Sequence, residues 1–306
     1  MKNIVLFDEK GLWADLLPIS YTRPVADIRV GILTIRQKWE YFLKDAEFSY
    51  MTADYLAVKY PMVVADDNLF IAGFVCPDNN LAEAVNLLQT GEALVAGDEL
   101  LAFRGSLDDF KAKKVTSAKT YGQEIAGIRM LYDIFMMNDQ QTKRDFRIVT
   151  EGRETQLVSD SCTVIGPRYF DDGMPAIFIE EGAVAEAGTF NTTNGPVYIG
   201  KDAVIMEGSC IRAPFVACEH AVVNMGARIY GATTLGPYCK VGGELNNVVM
   251  LGYSNKAHDG FLGNAVIGEW CNIGAGTNAS NLKNDYTEIK LWNYRAHRFM
   301  RTGLQF

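Results

Sequence analysis

The second half of the chain repeats an aliphatic residue every six positions. Small side chains recur four positions after most of these residues, and glycine directly follows some of them, as at Gly200 and Gly236. Six-residue sides, each with one inward aliphatic residue, are typical of a triangular coil in which three sides make one turn. The pattern therefore predicts a left-handed parallel β-helix. The repeated aliphatic residues of the unbroken run are Ile199, Ile205, Ile211, Ala217, Val223, Ile229, Leu235 and Val241.

The same register continues on both sides of this run, but each join is displaced by two residues. The displacements fall at residues 191–197 and in the segment between Val241 and Phe261, so we expect a bulge or short loop to leave the coil in each place. Loops on a rigid scaffold often carry function. The flanking register positions are Ile179 and Ala185 upstream, and Phe261, Ile267, Ile273 and Ala279 downstream.

The first part of the chain alternates short apolar runs with helical patterns. Residues 4–7 predict a buried strand, and residues 35–43 place apolar side chains on one face of a helix that Thr34 can cap. A second helix is predicted after residues 78–80. This alternation is typical of an α/β domain. The predicted divisions are an α/β domain over residues 1–110, a lysine-rich loop and helical connector over 111–150, and the all-β left-handed β-helix over 151–306.

Composition is that of a folded protein large enough for two domains. Of the 306 residues, 48% are apolar and 22% are charged, as in ordinary globular proteins. The net charge of −8 argues against a nucleic-acid partner, because phosphates are neutralised by clustered Lys and Arg. No membrane-length apolar run and no signal-like start is present, so we expect a cytoplasmic protein. The cysteines lack C-x-x-C spacing, which favours reduced thiols over a zinc site or disulfides.

Of the three histidines, His258 alone lies at an interruption of the repeat. Imidazole titrates near neutrality and can remove a proton from an attacking nucleophile. His258 is flanked by Lys256, whose charge suits an anionic substrate, and by Asp259. His220 falls within the regular repeat, and His297 lies in an arginine-rich stretch typical of a protein surface. We therefore interpret His258 as the candidate catalytic residue.

Residues 256–277 read KAHDGFLGNAVIGEWCNIGAGT, which resembles the acetyltransferase half of the bifunctional glucosamine-1-phosphate N-acetyltransferase/N-acetylglucosamine-1-phosphate uridyltransferase family. The family pattern is approximately K-A-G-H-L-x-Y-L-G-D-A-x-I-G-x-x-x-N-I-G-A-G-T. Phe261 replaces the family's tyrosine, and Asn246 lies near the place of a sugar-phosphate-binding lysine. The resemblance implies a homotrimeric β-helix that uses acetyl-CoA to acetylate an amino sugar phosphate. The matching positions are Lys256, His258, Leu262, Gly263, Ala265, Ile267, Gly268, Asn272 and residues 273–277.

The resemblance also implies a role for individual residues. His258 looks like the general base, Asn272 like a residue lining the acceptor site, and Ala275 like backbone near the acyl thioester. Residues 302–306 look like the opening of another coil, so we expect later coils to complete the acyl-CoA site. The expected substrate contacts are Lys256, together with Arg228 and Lys240, either of which can instead be a solvated charge on the repeat.

The start of the chain reads LLPISYTRPVADIRVG over residues 16–31 and resembles a sugar-1-phosphate nucleotidyltransferase, a family with a Rossmann-like domain. The family's L-x-P-L-T-x-x-x-P-K is matched at Leu16, Pro18, Ile19, Ser20 and Pro24, with Val25 in place of the lysine. Its glycine-rich G-x-G-T-R loop, whose backbone cradles phosphates, is replaced here by the sequence FDEKGLW over residues 7–13.

The nucleotidyltransferase resemblance implies a nucleoside triphosphate and Mg²⁺ as ligands of the N-terminal domain. Asp8 follows a predicted strand and is the candidate Mg²⁺ ligand, while Arg23 or Arg29 can replace the missing lysine as the nucleotide contact. Two interpretations remain open. The domain either transfers a nucleotide to a sugar 1-phosphate or is a degenerate domain kept for packing.

Other classes of protein share the predicted β-helix. A γ-type carbonic anhydrase uses three histidines from neighbouring coils to bind zinc, but the histidines here are spread along the sequence without a paired motif. A non-catalytic scaffold or regulatory binder is also compatible with the repeat. The match around His258 favours an enzyme over a scaffold, because packing alone does not require it.

Overall fold

The computed structural model describes residues 2–305, which form two compact units. The N-terminal unit contains the residues up to Ile28, Leu33–Leu131 and Asn293–Arg298. The second unit contains Arg29–Ile32, Tyr132–Trp292 and the residues from Phe299 onward. Their architectures confirm the predicted fold class, an α/β domain and a left-handed parallel β-helix.

A mixed β-sheet forms the centre of the N-terminal unit. Its strands are β1 (Lys2–Phe7), β2 (Ala46–Met51), β3 (Asn68–Ala72), β4 (Glu92–Ala96), β5 (Glu99–Gly105) and β6 (Ser117–Thr120). The strand order is β2-β1-β3-β5-β4-β6. β1 pairs in parallel with β2 on one side and β3 on the other, whereas β5 runs antiparallel to β3 and β4. Every residue of β3 is buried, as expected for a central strand covered on both faces.

Short helices connect the strands of this sheet. They are α1 (Lys10–Asp15), α2 (Ile35–Phe42), α3 (Asp54–Ala57), α4 (Asn79–Asn86) and α5 (Leu107–Lys111), with 3₁₀ turns at Ile19–Tyr21 and Val25–Asp27. The Thr34 hydroxyl and the Gln37 side chain form a capping box at the start of α2, and Asp78 caps α4. Helix α2 therefore begins where the sequence predicted, whereas α4 begins two residues earlier than predicted, at Asn79.

The stretch predicted as a loop and helical connector, residues 111–150, contains more than helix. Strand β6 (Ser117–Thr120) lies within it and pairs with β4 at the edge of the sheet. All four side chains of β6 are exposed, so no apolar alternation marks the strand in the sequence. Helices α6 (Asp133–Met136) and α7 (Asn138–Thr150) follow. No helix described between residues 2 and 305 is long and apolar enough to cross a membrane, and the cytoplasmic location stays a prediction.

The second unit is a stack of parallel coils. Its strands are β7 (Thr163–Ile165), β8 (Ile177–Ile179), β9 (Val184–Ala185), β10 (Thr189–Asn191), β11 (Val197–Ile199), β12 (Val204–Ile205), β13 (Cys210–Arg212), β14 (Phe215–Ala217), β15 (Val222–Val223), β16 (Arg228–Ile229), β17 (Thr233–Leu235), β18 (Lys240–Val241), β19 (Glu244–Gly252), β20 (Asn255–Lys256) and β21 (Phe261–Glu269). Three parallel ladders form the sides, and they begin β8-β11-β14, β9-β12-β15 and β7-β10-β13. The long strand β19 passes from one side to the next.

The predicted inward residues lie in the core of this coil. The eight aliphatic residues from Ile199 to Val241 are each no more than 2% exposed, and Ile179 and Ala185 are also buried. These residues pack into one continuous hydrophobic cluster. The six-residue register is therefore confirmed over the unbroken run.

The downstream register is confirmed at Ile267 and Ile273, which pack against the core cluster, but the inward residue differs from the prediction by one position at Phe261. After Val241 the next inward side chain is Leu245, only four positions later, and Leu245 pairs with Leu262 in the following coil. Leu262 is 4% exposed, whereas its neighbour Phe261 is only partly buried. The chain is shortened at Gly242, where an added Cβ would lie 2.2 Å from the Ala257 carbonyl oxygen. The sides from Leu245 to Met250 and from Leu262 to Ile267 each span five residues instead of six, which places Leu262 and not Phe261 inside the coil.

The C-terminal residues form a separate two-stranded sheet of β22 (Lys290–Asn293) and β23 (Arg298–Arg301). Residues 302–305 were predicted to open another coil, but the Thr302 amide donates to the Ile289 carbonyl beside this sheet instead. Their polar and small residues suit a turn as well as a coil corner. The part of this prediction that concerns Phe306 lies outside the described residues.

Replacing Ile205 by alanine tests the packing of the coil. Ile205 is 1% exposed, so Ile205→Ala should lower the free energy of unfolding by about 2–5 kcal/mol because it leaves a cavity. Met225 is 71% exposed, and Met225→Ala should change the free energy of unfolding by less than about 0.5 kcal/mol. Denaturant unfolding followed by circular dichroism measures both. Equal effects of the two substitutions would contradict an inward Ile205.

Candidate active site

A cavity of about 750 Å³ opens at the carboxyl edge of the sheet in the N-terminal unit. Phe7 and Met51, the last residues of β1 and β2, line it, and Phe74 lines it just after β3. Leu100 and Phe110 contribute from β5 and α5. In open α/β sheets, ligands bind outside the carboxyl ends of the strands where the strand order reverses. β1 is such a point, because β2 and β3 flank it on opposite sides.

A smaller cavity of about 240 Å³ lies at the opposite edge of the same sheet. Lys2, Asn3 and Asn68 line it from the amino ends of β1 and β3, together with Arg104. The Arg104 guanidinium is paired with Asp67 at 2.8 Å. Because ligand sites for molecules of nucleotide size usually exceed about 300 Å³, the carboxyl-edge cavity is the better candidate site.

Asp8 lies in the wall of the carboxyl-edge cavity, directly after β1. Its Oδ2 accepts a hydrogen bond from the Thr52 hydroxyl at 2.6 Å, and its Oδ1 accepts one from the Val25 amide at 3.0 Å. Its own amide donates to the Met51 carbonyl at 2.8 Å. Gly73 passes so close that an added Cβ would lie 3.1 Å from Oδ1. The strand ends therefore fix the carboxylate in one position.

This fixed position is electrostatically unfavourable for a lone negative charge. Burial raises the pKa of Asp8 from 3.8 to about 7, and the hydrogen bonds from Thr52 and Val25 offset only part of that rise. The carboxylate of Asp27 raises the pKa slightly further. A nearby cation would favour the ionised form, so a hard divalent ion such as Mg²⁺ suits this oxygen donor.

Other charged side chains surround the same cavity. Glu99 is held by Arg129, whose Nε donates to its carboxylate at 2.7 Å, and these hydrogen bonds lower the pKa of Glu99. Lys111 and Lys113 also line the cavity, and neither forms an ion pair within residues 2–305. Within the same residues, no group of three or more His, Cys, Asp or Glu is arranged to hold a metal. Asp8 would therefore share any Mg²⁺ with phosphate oxygens of a ligand.

The two arginines predicted to bind the nucleotide do not line this cavity. Arg23 is 5% exposed, and its guanidinium contacts the Thr22 hydroxyl at 3.4 Å. Arg29 belongs to the second unit, where it donates to the Ile32 carbonyl. Their burial argues against direct contact with a nucleotide. The exposed lysines Lys111 and Lys113 provide the positive charge instead.

A turn of helix replaces the glycine-rich loop after β1. The Glu9 carboxylate accepts a hydrogen bond from the Leu12 amide at 2.8 Å and so caps α1. Glu9 and Leu12 both line the carboxyl-edge cavity. Helix α1 therefore occupies the place that a phosphate-binding loop takes in the resembling family.

In the second unit, His258 lies on a corner loop made of residues 257–260. Its side chain is exposed and makes no hydrogen bond within residues 2–305. The loop itself is held firmly: the Asp259 carbonyl accepts from the Gly276 amide at 2.9 Å, and Gly260 packs against the Thr277 carbonyl. The structure thus presents a free imidazole on a rigid corner, beside the turn of residues 274–277.

Lys256 lies inside the coil. It is 2% exposed, and it pairs with the inward residue Val241 of the preceding coil. Its ammonium donates to the carbonyls of Gly242 at 3.0 Å and His258 at 2.8 Å. Burial lowers the pKa of Lys256. The predicted contact with an anionic substrate conflicts with this burial, and the contacts favour a structural role in holding the His258 loop.

The remaining predicted site residues lie on the outside of the coil. Asn272 is exposed, and its Oδ1 accepts from the Asn255 amide group at 3.0 Å. Ala275 is exposed in the turn beside the His258 loop. Arg228 and Lys240 are exposed on β16 and β18, and Arg228 lies 3.6 Å from Glu244. The positions of Arg228 and Lys240 are compatible with either predicted role, a contact with the substrate or a solvated charge on the surface.

The order of the strands and the cavity at their carboxyl edge are typical of an open α/β domain that binds a ligand at that edge. Among known proteins, residues 4–154 match the family described as sugar nucleotidyl transferase, so this part of the chain is similar to that family. The bifunctional protein GlmU of Trichodesmium erythraeum (strain IMS101) is 35% identical over 86 residues, which are 28% of this chain and 18% of that protein. The chain is thus similar to part of that bifunctional protein, and the match spans less than a fifth of that protein's length.

Thr52, which bonds Asp8, and the cavity residues Lys111 and Lys113 were not identified from the sequence. Thr52 directly follows β2, and the rule that carboxyl ends of parallel strands meet could have placed it near Asp8. Lys111 and Lys113 fall in a lysine-rich stretch that is usually a solvated loop. No sequence signal separates those two lysines from their neighbours.

The raised pKa of Asp8 predicts how stability depends on pH. Between pH of about 4 and about 7, the folded state holds a proton that the unfolded state has already lost. Relative to Asp8→Asn, the wild-type protein should therefore lose stability as the pH rises through this range and stay level above it. Unfolding midpoints of both proteins at several pH values measure the difference. A difference independent of pH would show that Asp8 is not desolvated.

Proposed function

We propose that the N-terminal domain transfers a nucleotide from a nucleoside triphosphate to a sugar 1-phosphate in the carboxyl-edge cavity. The observation that carries this proposal is the position of Asp8, a desolvated carboxylate in a nucleotide-sized cavity. The match of residues 4–154 to the sugar nucleotidyl transferase family supports it. The name of the bifunctional relative is in keeping with a role in sugar-nucleotide biosynthesis.

The proposed chemistry is a displacement at phosphorus. An oxygen of the sugar phosphate attacks the α-phosphorus of the triphosphate, the bond to the β-phosphate oxygen breaks, and pyrophosphate leaves. Mg²⁺ would neutralise the charge on the phosphates, and Asp8 is the residue that would hold it. Lys111 and Lys113 would contact phosphate oxygens as point charges. Phe110, stacked on Phe70 at 4.1 Å, provides an apolar wall against which a base can pack.

Removing the charge of Asp8 tests this proposal. Asp8→Asn keeps the size of the side chain but should lower the release of pyrophosphate by about 10²-fold or more, as does the loss of other preorganised electrostatic groups. The assay uses UTP or dTTP with Mg²⁺ and several sugar 1-phosphates. Glu47→Gln is the matched control, because Glu47 is exposed on β2 near the amino edge of the sheet.

The outcome also separates the two interpretations of the domain. If the release of pyrophosphate falls in Asp8→Asn and not in Glu47→Gln, the domain is an active transferase. If the folded wild-type protein releases no pyrophosphate from any of these pairs, the domain is degenerate and the proposal is wrong.

A second candidate function belongs to the β-helix. We propose acetyl transfer from acetyl-CoA to an amino sugar phosphate, because His258 presents a free imidazole on a rigid corner beside the turn that contains Ala275. The nitrogen of the amino sugar would attack the thioester carbonyl while His258 takes the proton from that nitrogen. The CoA sulfur would then leave and take up the proton to form the thiol. Asn272 lies on the next coil and would contact the acceptor. Trimer formation belongs to the same proposal.

Replacement of His258 tests the second candidate. His258→Ala should lower the release of thiol from acetyl-CoA in the presence of glucosamine 1-phosphate by about 10²–10⁴-fold, the usual contribution of a positioned base. His220 is partly exposed at a corner of the coil, where it stacks on Tyr238, so His220→Ala is the control histidine. Full activity in His258→Ala would remove the base assignment, and a wild-type rate equal to that without enzyme would remove the reaction.

A further inference from the structure

The C-terminal tip, residues Asn293–Arg298, is part of the N-terminal unit although it lies at the far end of the sequence. The Asn293 side-chain amide donates to Asp15 Oδ1 at 2.8 Å, across 278 positions of sequence. The Arg295 guanidinium lies 2.8 Å from Asp15 Oδ2. Both carboxylate oxygens of Asp15 are therefore held by the tip.

The tip makes further contacts around the same helix. Tyr294 packs edge-on against Tyr21 at 6.0 Å, and Tyr21 in turn packs against Trp13 of α1 at 6.5 Å. Arg295 also lies over Gly11, where an added Cβ would come within 2.6 Å of its guanidinium. The contacts thus reach α1 near its beginning, at its middle and at its end.

Helix α1 is the segment of the site that most needs outside support. It has six residues, none of them fully buried, and isolated helices of this length do not form in water. Yet its cap and its first turn supply Glu9 and Leu12 to the cavity wall. A glycine-rich loop would fix its own backbone around phosphates, whereas this helix must be held from outside.

We propose that Arg295 and Asn293 are positioning residues of the nucleotide site, which act by clamping α1 through Asp15. This inference rests on the proposed nucleotidyl transfer for its functional part. The side chain of Asp15 is only 9% exposed, so loss of the guanidinium leaves a largely buried carboxylate short of a partner. Removal of one member of such a pair lowers the stability of the structure around it. Because Asp15 belongs to α1, α1 is the element that shifts.

Hydrogen exchange of α1 tests the clamp without any nucleotide. In Arg295→Ala, the amides of residues 12–16 should exchange about tenfold faster than in the wild-type protein, because local opening of α1 becomes easier. Arg298→Ala is the matched control: Arg298 is an exposed arginine of the same tip with no ion pair within residues 2–305. Unchanged exchange in Arg295→Ala would overturn the clamp, whatever the protein catalyses.

Nucleotide affinity tests the functional part of the inference. Calorimetric titration with Mg²⁺ and UTP should show a dissociation constant about tenfold higher in Arg295→Ala, within the usual range for coupled sites, and unchanged in Arg298→Ala. Asp15→Ala should weaken binding similarly, and the double variant should be no worse than either single one. If the losses of nucleotide affinity in the two single variants added up in the double variant, Arg295 and Asp15 would not act as a pair.

The two measurements distinguish the possible failures. If the wild-type protein binds neither UTP nor dTTP while exchange responds to Arg295→Ala, the clamp stands and the proposed function fails. If the wild-type protein binds nucleotide but Arg295→Ala binds it equally well, the proposed function stands and the positioning role is wrong.

Discussion

A carboxylate held away from water at the end of β1 is the constraint on which the N-terminal unit depends. Asp8 receives its hydrogen bonds from Thr52, which follows β2, and from the Val25 amide, and the backbone at Gly73 closes over it. If either neighbouring segment shifted, the carboxylate would lose one of these hydrogen bonds at a position that water hardly reaches. The cost of an unpaired buried charge therefore fixes the strand ends, and the fixed strand ends shape the cavity beside them.

The β-helix depends on a different constraint, the parallel register of its coils. The stacked aliphatic residues fix which side chains point inward. A side of different length must therefore be accommodated at a corner such as Gly242, where the backbones approach closely. There Lys256 turns inward and uses its charge to hold the carbonyls of Gly242 and His258. The imidazole of His258 is left exposed, because the buried lysine, and not the histidine, satisfies the backbone of the loop.

Features that depend on local periodicity were predictable from the sequence. The inward positions from Ile199 to Val241 and the start of α2 at Thr34 follow from spacing and capping alone. Strand β6 was missed because an exposed edge strand has no apolar alternation. The inward displacement from Phe261 to Leu262 was missed because the side from Leu262 to Ile267 spans five residues, whereas the prediction assumed six throughout.

Site residues were harder to predict than strands, because a site combines distant segments. Asp8 was predicted as a site residue from its position after a strand, and it lines the carboxyl-edge cavity. Lys256 and Arg29 have charges that suggested ligands, yet both are buried and bonded to carbonyls. The contact of Arg295 with Asp15 joins the two ends of the sequence. No local pattern contains that information.

Crystals of the protein grown with Mn²⁺ and a non-hydrolysable UTP analogue test the central claim most directly. The account predicts an anomalous peak at coordination distance from the Asp8 carboxylate, at roughly the 2.0–2.1 Å at which Mg²⁺ binds oxygen ligands, with the nucleotide in the carboxyl-edge cavity beside Phe110. Nucleotide bound elsewhere, with no peak at Asp8, would contradict it.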